Sequence, residues 1–146
     1  MLFRSGLITQ IGEWVLRTAC TDAAGWPDHV SVAVNVSPIQ FKNQNLVLAV
    51  IRALEAAGLS ARRLAIEITE SVLMRDNEAN LTTLHQLRDL GVQIVMDDFG
   101  TGYSSLSYLR SFPFDKIKID RSFINDVSDM GDANAIVQAK IGRAHV

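Results

Sequence analysis

The sequence predicts an α/β fold in which strand and helix alternate about four times around a parallel sheet. Two observations predict it. Apolar residues switch repeatedly between compact β-branched runs and helical spacing, and the connections between those runs are short. No repeat, low-complexity tract or linker divides the 146 residues, a length usual for one domain.

Taken in order, Leu7, Ile11, Trp14 and Val15 recur at helical spacing until Gly25-Trp26-Pro27 breaks the helix. Ser31 to Val36 is β-branched and compact, as a buried strand requires. Val47, Val50, Ile51 and Leu54 mark a second amphipathic helix, with Gly58 as its stop. Leu64 to Thr69 is the next strand. Leu81, Leu84, Leu87 and Leu90 give a third helix that ends at Gly91, and Val92 to Asp98 a third strand. Ser104 to Ser111 reads as a short helix stopped before Pro113. Lys116 to Asp120 alternates as a fourth strand, and Ala133 to Ala139 begins another helix. An open doubly wound sheet and a (β/α) barrel both satisfy this pattern. A full barrel needs about 250 residues, so a barrel here would be partial.

Composition narrows the function classes. A net charge of −2 gives no basic footprint, so a nucleic-acid polymer is not an expected partner. The single cysteine, Cys20, forms no internal disulfide and suits a reducing cytoplasm. No apolar run approaches the ~20 residues that cross a bilayer, and the N-terminus lacks a signal peptide's apolar stretch. A soluble, cytoplasmic piece is expected, from a parent that is free to carry a membrane anchor elsewhere.

Strand side chains alternate faces. Val32, Val34 and Val36 oppose Ala33 and Asn35; Leu64, Ile66 and Ile68 oppose Ala65, Glu67 and Thr69; Val92, Ile94 and Met96 oppose Gln93, Val95 and Asp97; Ile117 and Ile119 oppose Lys116, Lys118 and Asp120. Each strand therefore has one greasy face, and a polar group near its C-terminal end on the other. In a barrel, Asn35, Glu67, Asp97 and Lys118 would converge at the C-terminal mouth, where such enzymes keep their chemistry. Carboxylates at that density need a cation or Lys118 to balance them. An amide oxygen and carboxylates are hard ligands suited to Mg²⁺ or Mn²⁺, while scattered His29, His85 and His145 do not suit a zinc site. Singly, Asn35 reads as a strand-end turn residue, Glu67 as a paired core carboxylate and Lys118 as ordinary edge alternation. Together at matching parity they read as a site. The loop from Phe99 to Ser105 supplies backbone N–H and hydroxyl groups that could cradle phosphate.

Four blocks carry a family resemblance: Asn35-Val36-Ser37, Glu67-Ile68-Thr69-Glu70-Ser71, Asp97-Asp98-Phe99-Gly100-Thr101-Gly102-Tyr103-Ser104-Ser105-Leu106, and Lys118-Ile119-Asp120-Arg121-Ser122-Phe123. In this order they resemble the EAL family of cyclic di-GMP phosphodiesterases, across essentially all of residues 6–140. The resemblance implies a partial (β/α)8 TIM-like barrel with about four strand–helix units present. It implies hydrolysis of cyclic di-GMP to pGpG with two Mg²⁺ or Mn²⁺ ions. By that similarity Asn35, Glu67 and Asp97 are metal ligands. Asp98 contacts the second metal and helps activate water, and Lys118 holds the attacking water or phosphate. Glu70 anchors the loop of Phe99, Gly100, Thr101, Gly102 and Tyr103, which shapes the second metal site and, in many relatives, a homodimer interface. Many relatives also carry a GGDEF or sensor domain upstream.

The family's Glu-Ala-Leu segment and its late catalytic Glu and Gln do not occur in this sequence, so the chain as written is expected to be inactive. The alternative is a degenerate EAL domain that acts as a cyclic di-GMP receptor or protein-interaction module. Intact Glu67, Asp97, Asp98 and Lys118 favour the enzyme. A diguanylate cyclase is disfavoured, because no Gly-Gly-(Asp/Glu)-Glu-Phe turn appears. Unpaired strand edges in a partial barrel predict aggregation or a loose fold in isolation. Finally, with GTG taken as a start codon, residues 1–5 can be written in codons as GTG-CTC-TTC-CGA-TCT, and residues 141–146 as ATC-GGA-AGA-GCA-CAC-GTC. The reverse complement of the second contains the first, short of its last two bases, and resembles a sequencing adapter. Both tails are therefore expected to be non-native, flanking a partial EAL domain of residues 6–140.

Overall fold

The structure is a computed structural model that describes residues 2–42, 45–74, 77–99 and 112–119. In chain order they form α1 (Leu2–Ala24), β1 (Val32–Asn35), α2 (Pro38–Lys42), α3 (Leu46–Ala57), a 3₁₀ turn (Ala61–Arg63), β2 (Leu64–Thr69), α4 (Ser71–Met74), α5 (Asn77–Asp89), β3 (Gln93–Phe99) and β4 (Lys116–Ile119). The expected helices at Ser104–Ser111 and Ala133–Ala139, the strand end at Asp120 and the tail at 141–146 lie outside the described residues.

The strands form one parallel sheet in the order β1-β2-β3-β4. Parallel neighbours joined in sequence by right-handed crossovers place every covering helix on the same side. The buried residues obey this. Leu16 and Cys20 of α1, Val50 of α3, and Leu84 and Leu87 of α5 join Val34, Ile66, Ile68, Ile94 and Met96 in one hydrophobic cluster. Ala65 and Val95, on the opposite face, are also buried but do not belong to that cluster. Helices on one face only is the barrel arrangement, whereas a doubly wound sheet carries them on both.

The helix stops fall where glycine placed them. Gly58 takes a left-handed φ of 66°, and Leu59 N–H donates back to Leu54 O, closing a Schellman turn on α3. Gly91, at φ 101°, ends α5 in the same way, with Val92 N–H donating to Leu87 O.

α1 departs from the sequence reading in its buried face. Of the four residues that announced the helix, three are exposed, Leu7 57%, Ile11 50% and Trp14 59%, while Val15 is partly buried against the core. The core face is Leu16, Cys20 and Ala23, about half a helical turn away. The small Cys20 and Ala23 let α1 lie close to α3, whereas Ile8, Ile11 and Val15 line a cleft beside the C-terminal end of β1.

Two polar clamps fix the strand ends. Arg63 donates from Nε to Val30 O (3.0 Å) and from Nη2 to Ala23 O (2.6 Å), Pro27 O (3.1 Å) and Trp26 O (3.2 Å). It thus ties the C-terminus of α1 to the start of β1. Asp115 binds Ile94 twice: its N–H donates to Ile94 O (2.9 Å), and its Oδ2 accepts from Ile94 N (2.7 Å). That reciprocal pair sets β4 against β3, while Arg88 donates to Pro113 O and lies 4.0 Å from Asp115 Oδ1. Among the described residues no helix is long and apolar enough to cross a membrane.

Candidate functional site

The register assembles the site on the face away from the hydrophobic cluster. Asn35 of β1 pairs with Glu67 of β2, so their side chains share a row on neighbouring strands. Glu67 pairs with Val95 and Thr69 with Asp97, which sets Asp97 one row closer to the strands' C-terminal ends. Neighbouring strands lie about 4.8 Å apart, so the three oxygen-bearing side chains gather within one small patch. Asn35, Glu67, Thr69 and Asp97 line an open cleft of about 580 Å³. Its other wall is Ser37, Pro38 and Gln40 after β1, together with Ile8, Ile11, Gly12 and Val15 of α1.

Glu67 is 6% exposed, an unusual setting for a carboxylate. Lys118 answers it from β4, with Nζ 2.6 Å from Glu67 Oε1. A buried carboxylate must be paired or hydrogen-bonded to offset its lost hydration, and this contact does so. β3 lies between the two partners, so the lysine side chain reaches across an intervening strand.

Glu70 is buried at the β2–α4 turn, where its carbonyl accepts from Leu73 N–H (2.9 Å). It does not line the cleft. Asp98 and Phe99 continue the β3 backbone, but their side chains lie outside the described residues, as do Gly100, Thr101, Gly102 and Tyr103. Among the described residues no three His, Cys, Asp or Glu side chains gather. The cluster has two carboxylates and completes its donors with the Asn35 amide oxygen. That set is all hard oxygen, suited to a cation such as Mg²⁺ or Mn²⁺ and unsuited to a thiolate metal.

The sequence reading did not single out Gln40 or the α1 wall, and it gave Ser37 and Thr69 no role in the site. A signal for two of them was present. Ser37-Pro38-Ile39-Gln40 is a capping sequence with proline at the first helical position. Gln40 Oε1 accepts from Ser37 N–H at 3.0 Å, as such a cap predicts, and this sets α2 directly after Asn35. A Cβ at Gly12 would meet the amide end of the Gln40 side chain, which would have to shift to admit it.

A family model for the EAL domain matches residues 1–146. The chain is 49% identical over 140 residues to the bifunctional diguanylate cyclase/cyclic di-GMP phosphodiesterase MucR of Pseudomonas aeruginosa, covering 93% of this chain and 20% of that protein. It is similar to the solved PaMucR phosphodiesterase in complex with c-di-GMP, with a TM-score of 0.79 and 46% identity over 97% of this chain and 59% of that one. The manganese/cyclic di-GMP complex of Klebsiella pneumoniae BlrP1 matches with a TM-score of 0.74 and 30% identity, covering 93% of this chain and 34% of that one. The chain spans 17% to 22% of the length of the curated relatives it matches.

Proposed function

The chain belongs to the EAL domain family and carries part of its (β/α)8 barrel, and we propose that its cleft is part of the active site of a cyclic di-GMP phosphodiesterase. The observation that carries this reading is the convergence of Asn35, Glu67 and Asp97, from three successive strands, on one cleft.

In this proposal Asn35, Glu67 and Asp97 hold a divalent cation, Mg²⁺ or Mn²⁺, and Asp98 contacts a second. Bound there, the cations supply charge neutralisation and activation of water for phosphodiester hydrolysis. The chain's own residues do the rest. In this reading the Lys118 ammonium steadies the attacking water or a phosphate oxygen, which its contact with the buried Glu67 side chain supports. Gln40 and Ser37 hold the turn after Asn35 rigid, so the amide oxygen is presented without a search. Glu70 anchors the loop of Phe99, Gly100, Thr101, Gly102 and Tyr103, which contributes to the substrate site and to a homodimer contact. The naming of MucR as a bifunctional enzyme supports a cyclase or sensor domain beside this one in the whole protein. Buried, unpaired Cys20 fits a cytoplasmic setting.

We infer further that the 146-residue chain is inactive by itself, since the family's remaining acidic ligands are not in it, and that residues 1–5 and 141–146 are adapter-derived. The test is turnover of cyclic di-GMP to pGpG with Mn²⁺, followed by chromatography. The complete reading frame is expected to hydrolyse it and the 146-residue chain not to. Turnover by the short chain would refute the inactivity, and binding without turnover by the complete protein would move the function to a receptor.

A further inference from the structure

We propose that Lys118 is a placeholder cation for the metal site: it occupies the Glu67 carboxylate when no metal is bound and must leave it for a divalent cation to bind. The inference rests on the reading of Glu67 as a metal ligand and adds a role for Lys118 before any chemistry begins.

Three observations support it. The contact is made by a ligand oxygen itself, with Lys118 Nζ 2.6 Å from Glu67 Oε1, so ammonium and metal would claim the same carboxylate. The two ends of the pair are also unequal. The Glu67 side chain is 7% exposed, whereas that of Lys118 is 56% exposed. A buried carboxylate needs an opposing charge or hydrogen-bond donors, while a half-exposed ammonium has water within reach. Finally, the lysine comes from two strands away, crossing two inter-strand steps of about 4.8 Å to make the contact. A long flexible side chain laid across β3 can swing off without moving the sheet, which a shorter or more enclosed cation could not do. The exchange also orders events, since Lys118 would turn to substrate only after the metal has arrived.

The test is titration of the complete protein with Mn²⁺ alone, by calorimetry at pH 7.5, in the wild type and in Lys118→Met, Lys118→Arg and Lys116→Met. Lys118→Met removes the competitor and is expected to bind Mn²⁺ about tenfold or more tightly, a difference of about 1.4 kcal/mol. Lys118→Arg keeps a cation in place and should stay close to the wild type. Lys116→Met removes a charge from the same face of β4 and should change affinity much less, which separates occupancy of Glu67 from the general field. Unchanged or weaker binding by Lys118→Met, with the wild type binding normally, overturns the placeholder role and leaves the metal reading standing. No Mn²⁺ uptake by any of the four strikes the metal reading itself. If Lys118→Met loses its circular dichroism because Glu67 is left unpaired, recovery of the spectrum on adding Mn²⁺ supports the proposal. A spectrum that Mn²⁺ does not restore overturns it.

Discussion

Arg63 is expected to be the most costly single polar residue to remove from the scaffold that aims Asn35. Its guanidinium serves four carbonyls, but the four are not equivalent. The bonds to Val30 O and Ala23 O are partly buried, whereas those to Trp26 O and Pro27 O are exposed and water can replace them. Ala23 O belongs to the last turn of α1, where it also accepts from Trp26 N–H (3.0 Å) and where a positive charge is favoured. Hydrogen bonds to a charged group contribute about 1.5–3 kcal/mol each, so two buried ones make Arg63→Ala cost about 3 kcal/mol or more. The pairing with Asp28 at 3.9 Å adds nothing useful, because that carboxylate is fully exposed. Arg63→Lys keeps the charge but not the planar fork, and should recover less than half of the loss. Urea unfolding at low protein concentration, followed by the fluorescence of Trp14 and Trp26, measures both variants. A cost below about 1 kcal/mol for Arg63→Ala, the range of an ordinary surface change, would refute the clamp.

Asp115 makes a second test of the scaffold. Asp115→Asn retains an oxygen for Ile94 N–H and should be nearly neutral, while Asp115→Ala should cost about 1–2 kcal/mol and raise amide exchange along β4; equal behaviour of the two variants would contradict this. Cys20 is fully buried, and burial pushes its thiol above the ordinary value. It should resist a thiol reagent until the chain is unfolded. Because the folded value is the raised one, the stability linked to the protonated thiol is fully present below about pH 8.5 and declines as pH rises above it; Cys20→Ala should lack that alkaline decline in unfolding titrations. On α1, Trp14→Glu should change stability by less than about 0.5 kcal/mol yet reduce self-association in sedimentation, because Leu7, Ile11 and Trp14 form an exposed apolar stripe. A large stability loss would mean that the stripe is part of the core.

Strand parity carried most of what the sequence could say about the site. Asn35, Glu67, Asp97 and Lys118 were set on one face by alternation alone, and the pairing Asn35 to Glu67 places two of them in one row. Gly58 and Gly91 marked their helix ends because a left-handed residue there has few substitutes. The choice between barrel and open sheet was not legible from periodicity. It depends on which face the helices cover, a property of the crossovers and not of any one segment. The core face of α1 was misleading for a physical reason: Leu7, Ile11 and Trp14 dominate any hydropathy reading by size, yet close packing on α3 selects Leu16, Cys20 and Ala23. α2 and α4 were too short for periodicity to register, although the Ser37 to Gln40 cap was readable. The Lys118–Glu67 contact crosses an intervening strand and follows only from the folded register.

The most direct measurement is an anomalous-difference map from crystals of the protein grown or soaked with Mn²⁺. A peak at coordination distance from the Asn35 amide oxygen and the carboxylates of Glu67 and Asp97, with Lys118 Nζ withdrawn from Glu67, is the predicted result. A Mn²⁺ peak away from these three residues, or none at saturating metal, would contradict the assignment of this cleft as a phosphodiesterase metal site.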